Sequence, residues 1–205
     1  MLFEDTFRTI ENTAEGDFRD RGSRFIGIAF HVKSEQEVRE CIQLVKKNHP
    51  KANHHCYGFR LGPGGSVYRY SDDREPSGSA GKPIYGSLLS NDLTDILIVV
   101  ARYFGGTLLG VPGLINAYRE AAAQAVAAAT IITVPVTVRY KILFSYDAIS
   151  EVMAVIKKSD AEIVSQEMNE SCSLTLSVPK SASEKFYQEV LSGHTIRSKC
   201  KIESL

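Results

Sequence analysis

The 205-residue chain has no tryptophan, only four cysteines and no net charge, and each shortage closes off a class of protein. Cys41, Cys56, Cys172 and Cys200 are scattered without Cys-x-x-Cys spacing. That pattern argues against a zinc ribbon or a disulfide framework and for reduced, packed thiols. No apolar run reaches the ~18 residues a membrane helix needs, so no membrane partner is expected. The N-terminus, with Glu4 and Asp5 beside Arg8, lacks a basic and then apolar leader, and the expected compartment is the cytoplasm. Basic and acidic residues balance at 24 each, again within residues 1–132 (15 against 15) and within 133–205 (9 against 9). No half is a polycation, so any affinity for nucleic acid has to come from a local basic patch. There is also no Walker A loop, Gly-x-Ser-x-Gly elbow or Ser-His-Asp order, so neither P-loop nor triad chemistry is expected and no cofactor is implied.

What the chain does have is a run of glycine and charge between Ser71 and Tyr118. It reads Ser71-Asp72-Asp73-Arg74-Glu75-Pro76-Ser77-Gly78-Ser79-Ala80-Gly81-Lys82-Pro83, then Arg102-Tyr103-Phe104-Gly105-Gly106, then Gly110-Val111-Pro112-Gly113. Ordered glycine costs backbone entropy, so loops this rich in it point to close approach of something to the main chain.

Around these loops the pattern alternates between strand and helix. Phe25–Val32 reads as a strand, and Ser34-x-x-Glu37 is a capping box opening a helix with Val38, Cys41, Ile42 and Val45 on one face, ended by Pro50. Residues 54–61 and 66–71 flank Gly62-Pro63-Gly64-Gly65 as a hairpin. Pro83 fits the first turn of a short helix to about Ser90, and residues 95–101 give the most buried-looking strand. An alanine-rich helix is expected over 112–130. Pro135 marks a boundary between domains at 1–132 and 136–205. Beyond it, a strand-helix-strand-strand-helix-strand order at 137–145, 147–158, 161–168, 171–178, 181–192 and 195–202 is the ferredoxin-like βαββαβ pattern, with Ser181-x-x-Glu184 as a cap and Gly193 as a stop.

Several constellations carry chemistry, each beside a plainer alternative. In loop 71–83, the amides of Ser77, Gly78, Ser79 and Gly81 together with Lys82 form a cradle for phosphate, or else a tight connector in which Asp72 and Asp73 cap backbone groups. Asp72, Asp73 and Glu75 suit a hard cation, or ion pairs with Arg74 and Lys82 that support the loop. Arg102, beside two aromatics and the open backbone of Gly105 and Gly106, suits RNA, or else pairs with those carboxylates while Tyr103 and Phe104 plug the core. Arg60 and Arg119 are further candidate phosphate contacts. His54-His55-Cys56 offers zinc ligands, but alternation puts His55 on the face opposite His54 and Cys56, so a packed thiol beside a bonded histidine is the expectation, with no metal. A Cys56–His54 nucleophile pair is not expected, and no catalytic residue is assigned.

Asp72-Asp73-x-Glu75-Pro76-Ser77-Gly78 and Arg102-Tyr103-Phe104-Gly105-Gly106-x-x-Leu109-Gly110 resemble the two signatures of the IMPACT family, bacterial YigZ-like branch. The likeness includes Ser23-Arg24-Phe25-Ile26, His54-His55-Cys56-Tyr57, Phe59-Arg60, Gly113-Leu114 and Ala117-Tyr118. Arg74 stands where the family usually has glycine, and Asn116 where arginine is common. The resemblance implies an α+β, two-domain protein: an N-terminal domain like the second domain of a small-subunit ribosomal protein, and a C-terminal ferredoxin-like domain like those of elongation factor G. It further implies a non-enzymatic role in translation or its regulation through RNA, ribosome or a translation-associated protein. The alternatives are a phosphate- or nucleotide-binding enzyme using the same loops, and a protein-interaction module.

Overall fold

The computed structural model describes residues 5–169, 172–192 and 200–204. The chain forms two compact units, one over residues 7–134 and one over 135–205 with which Asp5 and Thr6 also group, although the sequence reading put those two in the first domain. Among the described residues no helix is long and apolar enough to cross a membrane.

The first unit runs β1 (Thr6–Ile10), β2 (Ala14–Asp20), β3 (Ser23–His31), α1 (Glu35–Asn48), β4 (His54–Leu61), β5 (Val67–Ser71), α2 (Gly81–Ser90), β6 (Ile96–Tyr103), α3 (Gly110–Ala128) and β7 (Ile131–Pro135). β1 and β7 form a small ladder, and the other five strands make one sheet in the order β2-β3-β6-β4-β5. Every ladder in that sheet is antiparallel.

The central strand β6 is apolar at consecutive positions because helices cover both of its faces. Ile96, Ile98 and Val100 join the core under α2 and α3, whereas Leu97, Val99 and Ala101 join the core under α1. The cap of α1 is as expected: Ser34 accepts from the Glu37 amide at 3.2 Å, and Glu37 reaches back to the Lys33 amide at 2.8 Å. The short helix and the hairpin also form, but the alanine-rich helix starts at Gly110 instead of Pro112.

That helix lies close on the sheet at two bare positions. A methyl group built on Gly27 would meet the Ala121 carbonyl oxygen at 2.5 Å, and one on Gly16 would meet the Ala125 amide nitrogen at 2.5 Å. Strands β1, β2 and β7 were not anticipated. In β2 the inward positions are Gly16 and Phe18 among outward charges, so its alternation is hidden by the residue that makes the packing possible.

The second unit runs β8 (Thr137–Phe144), a 3₁₀ turn (Tyr146–Ala148), α4 (Ile149–Lys158), β9 (Glu162–Met168), β10 (Cys172–Pro179), α5 (Lys180–Ser192) and β11 (Cys200–Ser204). Its antiparallel sheet has the order β11-β8-β10-β9, which is the ferredoxin-like arrangement. Tyr140, Ile142 and Phe144 of β8 and Leu174, Leu176 and Val178 of β10 face one core with Val152, Ile156, Phe186 and Val190 of the helices. Ser181 lies inside α5, one residue after its start, and so is not the cap the sequence suggested. Gly193, Ser171 and residues 195–199 of the expected last strand lie outside the described residues.

Because backbone blocks the space at Gly27, a side chain there has no rotamer that relieves the clash. Gly27→Ala is expected to lower stability by about 1–3 kcal/mol, read as a fall in urea midpoint at unchanged slope.

Candidate functional site

The loop between β5 and α2 is organised from within by one carboxylate. Asp72 accepts from the amides of Gly78 at 2.8 Å, Ala80 at 3.0 Å and Gly81 at 2.8 Å, so the free donors at the start of α2 already hold an anion that belongs to the chain. Asp73 accepts from the His55 amide at 2.7 Å, and its carbonyl oxygen is 2.8 Å from His54 Nδ1. The main-chain phosphate cradle expected of Ser77, Gly78, Ser79 and Gly81 is thereby corrected to a capped connector. Ser79 is fully buried and donates to the Pro76 carbonyl at 2.6 Å, whereas Ser77 is exposed. Gly81 is glycine because a side chain would meet the Ser71 amide nitrogen at 2.6 Å.

Arg102 follows Ile98 and Val100 on the face of β6 under α2 and α3, and of the two outcomes weighed for it the open guanidinium is corrected, since it pairs with a carboxylate of loop 71–83. The residue is 6% exposed, and its Nη1 lies 2.5 Å from Glu75 Oε1. The same carboxylate oxygen accepts from the Tyr118 hydroxyl at 2.8 Å and stands 3.8 Å from His54 Nε2. The Cys56 thiol lies 3.3 Å from the Tyr118 hydroxyl and 3.1 Å from the Asp72 carbonyl oxygen. The Arg102 guanidinium sits against the rings of Phe25 at 5.4 Å and Phe104 at 5.7 Å, and its Nε makes no hydrogen bond among the described residues. Burial pushes the Cys56 thiol and the Tyr118 phenol well above their ordinary values, which keeps both protonated and makes Cys56 a poor nucleophile. Among the described residues no three His, Cys, Asp or Glu side chains form a group that could hold a metal ion.

The remaining candidates separate. Arg60 pairs in register with Ile96, at the opposite end of β6 from Arg102, and bonds Asp92 and the Leu93 carbonyl. Gly105 is spent on packing, since a side chain there would overlap the backbone of Gly22 and Ser23. Gly106 has a φ of +88° and open space around it, which makes it a turn residue.

Lys82 and Arg119 do come together. With Gly78, Pro83, Gly86, Ser87, Ser90 and Ile115 they line a cleft of about 520 Å³ between α2 and α3. Both are exposed, and among the described residues neither makes an ion pair. Sequence reasoning named the two cations but missed the buried Tyr118–Cys56 part of the site and the apolar floor of the cleft. The floor is visible as Pro83 and Ile115 once the two helices are known to be neighbours.

The profile of the Impact N-terminal domain matches residues 21–126, which includes every element of this site. The chain belongs to the IMPACT family. It is 30% identical to the IMPACT family member YigZ of Escherichia coli over 166 residues, 80% of this chain and 81% of that protein. It is 39% identical to the IMPACT family member YvyE of Bacillus subtilis over 119 residues, and here the match spans 58% of this chain but only 55% of the relative's length. A crystal structure described as that of a hypothetical protein superposes with a TM-score of 0.78 at 25% identity, covering 99% of this chain and 98% of that one.

Within the IMPACT signature, Arg74 has a φ of +71°, the left-handed region in which the family's usual glycine carries no penalty. Arg74→Gly is expected to raise stability by up to about 1 kcal/mol in urea titration. Glu75→Gln leaves a buried guanidinium without its counter-charge. It is expected to cost about 3–5 kcal/mol in the same titration, far more than any exposed pair such as Arg69–Glu35 would.

Proposed function

We propose that this IMPACT-family protein binds single-stranded RNA through the α2–α3 cleft, without catalysing a reaction, in the service of translation or its regulation. The observation that carries this reading is the pair Lys82 and Arg119: two exposed cations that make no ion pair among the described residues, facing one cleft in a protein with no net charge. The side chains of Lys82 and Arg119 would carry the grip on phosphate here, because Asp72 has taken the amides of Gly78, Ala80 and Gly81. That favours successive phosphates of a polymer over a small anion locked in a nest. The connection to translation comes from the family resemblance, and a cytoplasmic location goes with it.

A second reading has its own support. Leu108 is 81% exposed and Phe104 46% exposed in the loop leading to α3, and Val111 is 46% exposed in the first turn of that helix, an apolar surface of the kind that protein partners cover.

Replacing both cations by acids tests the first reading. In filter binding with single-stranded RNA, Lys82→Glu with Arg119→Glu is expected to weaken affinity. It should also flatten the dependence of log K on log salt by about 1.4, since each lost phosphate contact removes about 0.7. Unchanged affinity and slope would dismiss the cleft as the RNA site.

A further inference from the structure

Beside the cleft, α2 carries a feature that the paired charges do not explain. Tyr68 and Tyr70 alternate along β5, the edge strand of the sheet, and both project to the side on which α2 packs. The residue across the ladder from Tyr70 is Gly58, where a side chain would meet the Tyr85 amide nitrogen at 2.9 Å. The bare position lets α2 settle against β4 and brings the Tyr85 ring to both strand tyrosines. Its centroid is 5.1 Å from that of Tyr68 with the planes 19° apart, and 5.8 Å from that of Tyr70 with the planes 29° apart. Tyr85 is thus stacked against both strand rings.

Burial does not account for them. Tyr68 is 57% exposed and Tyr70 43% exposed, and neither hydroxyl makes a hydrogen bond among the described residues. Rings left in water in a stacked array offer π-faces to any flat group that can continue the stack. The charge beside them has a sign. Lys82 stands three residues before Tyr85 on α2 and therefore one turn away on the same side of the helix, and it is also a wall of the cleft that Arg119 faces.

We infer that Tyr68, Tyr70 and Tyr85 form the base-stacking subsite of a single-stranded nucleic-acid site whose phosphates lie along Lys82 and Arg119. The inference rests on the reading of the cleft given above. It adds what the ligand must possess, namely unpaired bases, and it predicts little preference among base sequences, because every base has a stacking face.

The test compares two ligands of equal charge, a fluorescein-labelled oligouridine dodecamer and an abasic ribose-phosphate dodecamer, by anisotropy at low salt. The wild-type chain is expected to bind the oligouridine more tightly. Tyr68→Ala with Tyr70→Ala, which removes the two exposed rings but keeps Tyr85 and its close approach to Gly58, is expected to weaken oligouridine binding by about tenfold or more and to leave the abasic ligand unchanged. Tyr68→Phe with Tyr70→Phe keeps the rings and is expected to bind as the wild type does. Equal wild-type affinity for both ligands, with no effect of the alanine pair, would overturn the stacking subsite and leave the cleft reading standing. Binding of neither ligand by the wild type would overturn both. Equal loss of both ligands in the alanine pair, at an unchanged urea midpoint, would also overturn stacking as the cause.

Discussion

The first unit is organised around a single carboxylate oxygen. Glu75 Oε1 holds Arg102 of the central strand and Tyr118 of α3 together, and the loop that supplies Glu75 is itself closed by Asp72 on the start of α2. Strand, loop and both helices on this face therefore meet at one buried charge pair. Desolvating such a pair is expensive, so its value lies less in net stability than in the penalty for every arrangement that leaves one member alone. The rings of Phe25 and Phe104 against the guanidinium complete an enclosure that water would otherwise have to share.

This enclosure decides what the glycine-rich run is for. Its carboxylates look inward: Asp72 onto amides, Asp73 onto the His55 amide, and Glu75 onto Arg102. Gly81 and Gly105 serve contact between segments of the chain itself, β5 in one case and the turn before β3 in the other. The signature is thus in large part a fastening in this chain, and the cleft lined by Lys82 and Arg119 lies beside it, between α2 and α3.

The sequence made legible whatever rests on period and punctuation. The apolar run of β6, the Ser34 cap and the glycine turn of the β4–β5 hairpin each follow from local rules that tertiary contacts did not override. Which of its two outcomes Arg102 would take was not legible, because alternation gives the face of a strand but not whether a loop 27 residues upstream will cover its end. The two outcomes weighed for Asp72 differ in the same way, since a carboxylate that caps amides and one that neighbours an empty anion site have the same spacing in the chain. The tyrosine row escaped notice for a related reason. Tyr68 and Tyr70 read as ordinary β-formers, and only the pairing of Tyr70 with Gly58 reveals the space into which Tyr85 fits.

Charge pairing narrows the physics of any RNA contact further. Of the cations near the motifs, Arg24 pairs with Asp17, Arg60 with Asp92, Arg69 with Glu35 and Arg102 with Glu75, while among the described residues Arg74, Lys82 and Arg119 make no ion pair, and Lys82 and Arg119 line the cleft. Two phosphate contacts release few counterions and give affinity that fades at moderate salt. A site built this way needs a contribution that salt does not screen, and stacking on exposed rings is of that kind. On the proposed reading, weak ionic grip and sequence-tolerant stacking together would let the protein engage unpaired RNA transiently without selecting a particular sequence. For such a protein a neutral chain is an advantage, because it keeps long-range attraction to other nucleic acid low.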